Sequence, residues 1–237
     1  MKINLLTIFP NIFDSYLNES ILKRAQNKKL VKFNVVNIRD FAKDKHKTTD
    51  DKPYGGGAGM VMKIQPIFNA LCALKKSKVK SQKSKVILLS AKGKVFTQKD
   101  AKRLSKYNEL TFICGRYEGV DERVKKFTDE EISIGEYVLT GGEVPAMVIA
   151  DAVTRLIPGV IAKESLEEES FSNNKIQNSI RQPADKIQNY LEYPQFTRPE
   201  VFEYHDKKTG KKKKLKVPKV LLSGNHKKIE EWRKRGR

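Results

Sequence analysis

Three short glycine-bearing segments hold most of the residues able to do chemistry. The first is Gly55-Gly56-Gly57-Ala58-Gly59, whose glycines let the backbone approach a ligand closely and take positive φ. A phosphate loop would continue as Gly-Lys-Ser/Thr, but Met60, Val61 and Met62 follow, which argues against ATP hydrolysis. A plain flexible turn is the other reading. The second is Gly115-Arg116-Tyr117-Glu118-Gly119, followed by Asp121-Glu122-Arg123. Ionisable groups crowd a turn there; the non-functional reading is a salt-bridged turn with Asp121 capping a helix. The third runs from Ile134 through Gly135, Glu136, Tyr137, Val138, Leu139, Thr140 and Gly141 to Gly142. Its backbone N–H and C=O groups can bind an adenine edge and a ribose, unless it is a simple strand-to-helix turn.

Alternating apolar strands and amphipathic helices predict the scaffold under these segments: an α/β fold with a mostly parallel sheet covered on both faces. Strands are expected at Lys2–Ile8, Val31–Ile38, Val86–Leu89, Leu110–Cys114 and Glu131–Ile134. Helices are expected from Ile12 to Ala25, from Pro66 to about Lys76, over Gln98–Tyr107, over Asp121–Phe127 and over Gly142–Ile157. The last carries an apolar face of Val144, Met147, Val148, Ala152, Val153 and Leu156. Two of the glycine segments then sit at carboxyl ends of strands, where open α/β sheets bind ligands. Residues 39–62 read as a long loop, and a loop of that length in a compact domain is functional or disordered. Lys75–Lys85 reads as an exposed Lys/Ser connection.

The organisation expected is a main domain over 1–162, a polar flexible linker over 163–189, and a small, basic, mainly helical region over 190–237. In that last region Phe196, Phe202, Val217, Val220, Leu221, Leu222 and Trp232 are the candidate core, and Lys211–Lys214 lies in a solvated loop.

The 48 Lys and Arg against 28 Asp and Glu give a net charge of +20, which fits a polyanionic partner, a generally lysine-rich proteome being the alternative. Only Cys72 and Cys114 occur, in no C-x-x-C pair, and His46, His205 and His226 are scattered. A disulfide framework and a cysteine-built zinc site are therefore not expected. The N-terminus reads as a buried strand without a cleavage site, and no apolar run is long enough for a membrane span, so a cytoplasmic protein is expected. No G-x-G-x-x-G follows the first strand, and neither a G-x-S-x-G elbow nor a Cys-His pair is present.

Taken together, the segments resemble the bacterial tRNA (guanine-N1)-methyltransferases of the SPOUT class. The resemblance is carried by Phe9-Pro10, Asp44-Lys45-His46-Lys47 to Asp50-Asp51, Pro53 to Met60, Gly115 to Gly119 and Ser133 to Gly142. It continues through Ile157-Pro158-Gly159, Tyr193 to Pro199, Val217-Pro218 and Leu221 to His226, in family order over almost the whole chain. The resemblance implies a trefoil-knotted SPOUT fold and an obligate homodimer with active sites at the interface. It also implies transfer of a methyl group from S-adenosylmethionine to N1 of the guanine 3′ of the anticodon.

By position, the resemblance assigns the cofactor to the turns at Leu88–Gly93, Gly115–Gly119 and Ile134–Leu139. Within them Leu89, Ser90, Gly115, Tyr117, Glu118, Ile134, Gly135, Glu136, Tyr137, Val138 and Leu139 are the expected cofactor contacts, with Gly142. Asp51, Gly57, Arg198, Ser223 and His226 are the expected tRNA contacts. The implied catalytic set is a general base, an arginine supporting guanine O6, here Arg155, and Glu118 beside the target base. The family base is an aspartate; Glu169 stands at its position here. Ala91 replaces a common proline, the linker lacks a Gly-Leu-Leu, and the Lys207–Lys216 segment is extended and basic. Mg²⁺ is linked to the family's activity, though no ligand spacing here demands it. The alternatives are a catalytically silent RNA-binding protein and a related enzyme acting on ribosomal RNA.

Overall fold

A computed structural model describes residues 1–76, 83–167, 169–171 and 193–235 of the chain. They divide into two units, Met1–Lys163 and Glu164–Arg237. Residues 77–82, inside the expected Lys/Ser connection, and residues 172–192, which hold most of the expected linker, lie outside the described residues.

In the first unit, β1 (Lys2–Thr7), β2 (Lys32–Asn37), β5 (Ser84–Val95), β6 (Glu109–Cys114) and β7 (Glu130–Ser133) form one parallel sheet. The strand order is β2-β1-β6-β5-β7. Successive side chains of a strand point to opposite faces. Ile3 and Leu5 of β1 thus join one apolar cluster and Leu6 the other; Phe112 and Ile113 of β6 divide in the same way. One face is covered by α2 (Ser20–Asn27) and α5 (Glu143–Thr154), which bury Leu22, Ala25, Ala146, Ile149, Ala150 and Val153. The other is covered by α3 (Ile64–Lys76) through Ile67, Ala70 and Leu71. Each buried Leu, Ile or Val among these contributes about 1.5–3 kcal/mol, so both layers hold the sheet in place under the site.

The expected helix from Ile12 to Ala25 is broken. A 3₁₀ turn at Pro10–Phe13 leads into α1 (Asp14–Leu17), and α2 starts afresh at Ser20, whose φ is 46°. Asn18 Nδ2 donates to the Asp14 carbonyl at 2.8 Å, and a side chain that bonds its own backbone competes with helix continuation. The long loop contains a 3₁₀ turn at Ile38–Phe41 and a small antiparallel pair, β3 (Asp50–Asp51) with β4 (Val61–Met62).

The helical stretch Gln98–Tyr107 ends sooner, as α4 (Gln98–Leu104), and opens on a capping box between Thr97 and Asp100. On α5 the expected apolar face is divided between core and surface, with Val153 buried and Met147 packed against the core. Val144 and Val148 remain 49% and 44% exposed, while Ala146, Ile149, Ala150 and Val153 take the core. A helix with apolar residues all round carries no periodic signal to choose between its faces.

The second unit contains α6, which runs from Lys163 to Glu167 across the division, a β-hairpin, and two further helices. Strands β8 (Val201–His205) and β9 (Lys212–Lys216) pair antiparallel; α7 (Lys219–Leu222) and α8 (His226–Arg235) follow. The expected mainly helical region thus holds a hairpin, and most of the lysine run read as a loop is strand β9. Lysines have low strand preference, and cross-strand pairing overrides it. Phe196 and Trp232 lie with ring centroids 6.1 Å apart. Phe202 and Leu222 are exposed, and among the described residues no apolar side chain of this unit is fully buried, so the seven-residue core expected there is not built. Among the described residues no helix is long and apolar enough to cross a membrane.

Candidate active site

Strand β5 does not run straight. Leu89 and Lys94 both align with Ile132 of β7, so Ser90, Ala91, Lys92 and Gly93 leave the ladder as a loop. Gly93 permits this: a Cβ there would lie 2.5 Å from the Ile132 amide nitrogen. This loop, the turn after β6 and the turn after β7 open into one cleft of about 290 Å³. Its walls include Leu89, Ser90, Gly115, Tyr117, Glu118, Ile134, Gly135, Tyr137, Val138, Leu139 and Gly142. Glu136 is exposed and is not among the lining residues. A cleft of this size at strand carboxyl ends is at the lower end of the range for small-molecule sites.

A buried ion pair ties the turns together. Arg116 Nε donates to Glu143 Oε2 at 2.9 Å, with the Glu143 side chain 1% exposed. Glu143 Oε1 accepts from the Thr7 hydroxyl at 2.7 Å, and Thr7 Oγ1 accepts from the Phe9 amide at 2.9 Å. The Arg116 guanidinium lies over the Phe9 ring, 4.7 Å from its centroid, and also donates to the Thr140 carbonyl. One carboxylate in the first turn of α5 therefore anchors β1, the post-β6 turn and the post-β7 turn at once. The fit is tight. A Cβ on Gly142 would meet Cys114 Cα at 2.7 Å, and one on Gly141 would meet Arg116 Nε at 2.2 Å. Gly142 N–H donates to the Gly115 carbonyl at 2.8 Å, closing the two turns on each other.

The first glycine segment joins the second through the backbone. Glu118 N–H donates to the Met60 carbonyl at 3.1 Å, Met62 N–H to Gly119 at 3.0 Å, and Asp121 N–H to Met62 at 2.9 Å. A Cβ on Gly59 would fall 2.6 Å from Glu118 Oε1, so the glycine lets Glu118 lie flat on the loop. Tyr117 holds φ at 60° in this turn, an unusual backbone state that clusters at functional sites. Gly57 has φ at 129°, and exposed Asp51 sits 3.3 Å from Lys63 Nζ.

Charges line the cleft in pairs. Lys125 Nζ bridges Glu122 at 2.8 Å and Glu131 at 3.1 Å; these hydrogen bonds hold its ammonium above the usual lysine range. Asp121 caps the 3₁₀ helix Glu122–Phe127 by accepting from Arg123 N–H at 3.0 Å. Arg123 holds its carboxyl below the usual range, so the salt-bridged cap is present beside the cleft. Cys114 is fully buried beneath it; burial first, then the Glu143 charge, push its thiol well up, so it stays protonated and is no nucleophile. Among the described residues no group of three or more His, Cys, Asp or Glu side chains can hold a metal ion.

Within the first unit the structure does not bring every expected residue to this cleft. Arg155 lies just past α5 in a separate groove with Tyr16, Val144, Met147, Val148, Asp151 and Ala152. At about 1.5 Å per residue it is some 20 Å along the helix from Gly142. Glu169, Arg198, Ser223 and His226 belong to the second unit. Arg198, Ser223 and His226 are exposed there, His226 as the first residue of α8. Sequence reasoning missed the anchoring roles of Thr7, Arg116 and Glu143. The available signal was an arginine inside one glycine turn matched by an acid directly after the Gly-Gly of the other.

The family described as tRNA (Guanine-1)-methyltransferase TrmD matches residues 1–237. A protein of Dictyoglomus turgidum is 52% identical over 236 residues, covering 99% of this chain and 84% of its own length. One of Mycoplasmopsis synoviae is 50% identical over 233 residues, covering 98% of this chain and 90% of its own. Both bear the name tRNA (guanine-N(1)-)-methyltransferase. The crystal structure of tRNA (m1G37) methyltransferase from Aquifex aeolicus is similar with a TM-score of 0.72 and 38% identity, over 98% of this chain and 87% of that one.

Proposed function

The chain belongs to the tRNA (guanine-1)-methyltransferase family, and we propose that its cleft binds the methyl donor for transfer to N1 of guanine 37 of tRNA. The protein is a tRNA (guanine-N1)-methyltransferase with S-adenosylmethionine as donor. The observation that carries the reading is the meeting of three strand-end turns in one cleft held by Arg116 and Glu143. Bound S-adenosylmethionine supplies an electrophilic methyl group. Backbone groups of Gly115, Ile134, Gly135 and Leu139 hold its polar edges, and Leu89, Tyr137 and Val138 shield its apolar parts.

Guanine N1 carries a proton, so methylation needs a base. In this reading Glu169 removes it, Arg155 supports the charge growing on O6, and Glu118 lies beside the base. A second copy brings Arg155 into play. In a two-fold pairing of α5 helices, residue i meets j and j meets i. The exposed Val144 and Val148 share a groove with half-buried Arg155, a surface that suits a homodimer in which an antiparallel α5 pairing would set one copy's Arg155 near the other's Gly142, at active sites on the interface. The close backbone fit of 140–142 on 114–116 supports the trefoil knot. The anticodon arm is gripped by Asp51, Gly57, Arg198, Ser223 and His226, with the flipped guanine in the cleft. Such a substrate puts the enzyme's work in the cytoplasm. No observation favours the alternatives of a silent RNA-binding protein or a ribosomal RNA enzyme.

The test is incubation with methyl-labelled donor and unmodified tRNA transcripts carrying guanine or adenine at position 37. Label at guanine N1 in the first and none in the second is expected; equal label in both rejects the reading.

A further inference from the structure

The β8–β9 hairpin carries charge that the fold leaves uncompensated. Residues 201–218 contain seven lysines, at 207, 208, 211, 212, 213, 214 and 216, and two carboxylates, Glu203 and Asp206, so 7 − 2 gives +5. Three lysines are spoken for. Glu203 lies 2.5 Å from Lys212 Nζ and 2.5 Å from Lys214 Nζ, and Asp206 pairs with Lys213. The two acids thereby offset the self-repulsion of the lysines on β9. Among the described residues Lys207, Lys208, Lys211 and Lys216 have no ion-pair partner, and all four are exposed.

The turn that displays Lys207, Lys208 and Lys211 is fixed, and Lys216 ends β9. Asp206 N–H donates to the Lys211 carbonyl at 2.9 Å, and Asp206 Oδ1 accepts from Lys208 N–H at 2.8 Å. One face of the hairpin adds an aromatic surface. Phe202 and Tyr204 stack at 6.1 Å and 16°, Phe202 opposes Leu215 across the ladder, and Phe202 and Leu215 are 55% and 59% exposed. Fixed cations beside exposed rings on a strand are what a nucleic-acid chain requires, phosphates for the first and bases or sugars for the second.

We propose that this hairpin is an accessory RNA grip, in which Lys207, Lys208, Lys211 and Lys216 take phosphates of the substrate tRNA and Phe202 packs on its bases or sugars. It rests on the methyltransferase reading for the identity of the RNA. A charge run that only keeps the surface solvated would leave tRNA binding untouched.

The full chain is compared with a variant carrying Lys207→Ser, Lys208→Ser, Lys211→Ser and Lys216→Ser, with the matching four-arginine variant, and with Phe202→Ser. The serine variant should raise the KM for tRNA about tenfold and flatten the slope of log Kd against log salt by about 3. Its kcat at saturating tRNA and its affinity for S-adenosylmethionine should stay unchanged. Arginine should restore the slope. Phe202→Ser should raise KM severalfold without changing the slope. An unchanged KM and slope in the serine variant, with methyl transfer intact, overturns the hairpin alone. A wild-type chain that methylates no tRNA overturns both readings. Loss of binding to phosphatidylglycerol vesicles with an unaltered tRNA slope also overturns the proposal, by assigning the lysines to lipid phosphate.

Discussion

Arg116 Nε lies 2.9 Å from Glu143 Oε2, and this one contact holds two chain turns that are far apart in sequence to the same side of the cleft. Removing a partner from a buried pair costs more than the pair contributes, because the remaining charge is left without compensation. Glu143→Gln keeps the volume and the bond to Thr7 but removes the charge. It should lower stability by about 2 kcal/mol, the scale of a hydrogen bond to a charged group. Donor affinity should fall about tenfold through loosened turns. Thermal unfolding and titration calorimetry read the two effects; unchanged donor affinity would show that the pair does not position the site.

Gly142→Ala tests the fit of the turns. The new methyl would meet Cys114 Cα at 2.7 Å and Gly115 N at 2.9 Å, both backbone atoms of β6 and its turn. Overpacking of this kind costs about 1–3 kcal/mol. A Cβ on Gly56 meets nothing within 4 Å, and only its φ of 80° resists it. The melting temperature of Gly142→Ala should therefore drop further than that of Gly56→Ala, and the reverse order would refute the close approach.

Asp100 should make part of the acid sensitivity. Burial raises its pKa, but bonds from Lys94 at 2.9 Å, Thr97 at 2.8 Å and Arg103 at 3.2 Å outweigh it and hold the carboxyl below its ordinary value. The folded group binds its proton less tightly than the unfolded one, near pH 4. Its stabilisation is therefore full above that pH and is lost as pH falls through the folded value. Asp100→Asn should cost about 1–2 kcal/mol at neutral pH, as loss of a helix cap and its charge bonds does. Its stability should then decline less steeply below pH 4 in urea titrations; parallel curves for both proteins would count against the assignment.

Val148→Asp places a charge on the exposed stripe of α5 and leaves the core face alone. Light scattering should report one chain instead of two, with far-ultraviolet dichroism unchanged and methyl transfer lost. A variant that remains dimeric would move the interface elsewhere.

Glu169→Gln isolates the proton-transfer step. Single-turnover methyl transfer should slow by about 100-fold or more, while donor binding stays within twofold and Glu169→Asp retains activity. Near-normal turnover in the glutamine variant would assign the base to another residue.

The chain's apolar runs made the parallel sheet legible, because strands buried on both faces read as nearly continuous apolar stretches, broken here by buried Asn4, Thr7 and Thr111. The glycine turns were legible for a different reason: Gly55, Gly56, Gly57 and Gly59 take positive φ, and Gly59 and Gly142 sit where a Cβ would collide. The resemblance of whole strings supplied the reaction. What only the tertiary structure decided depends on partners distant in sequence. The excursion of Ser90 to Gly93 needs Ile132 beside it, and the anchoring of Arg116 needs Glu143 and Thr7. The exposed side of α5 could not be chosen from a helix apolar all round, and lysine-rich β9 became a strand because Glu203 and Asp206 lie across from it. Local preference is worth tenths of a kcal/mol per residue, and burial or charge pairing across the fold outweighs it.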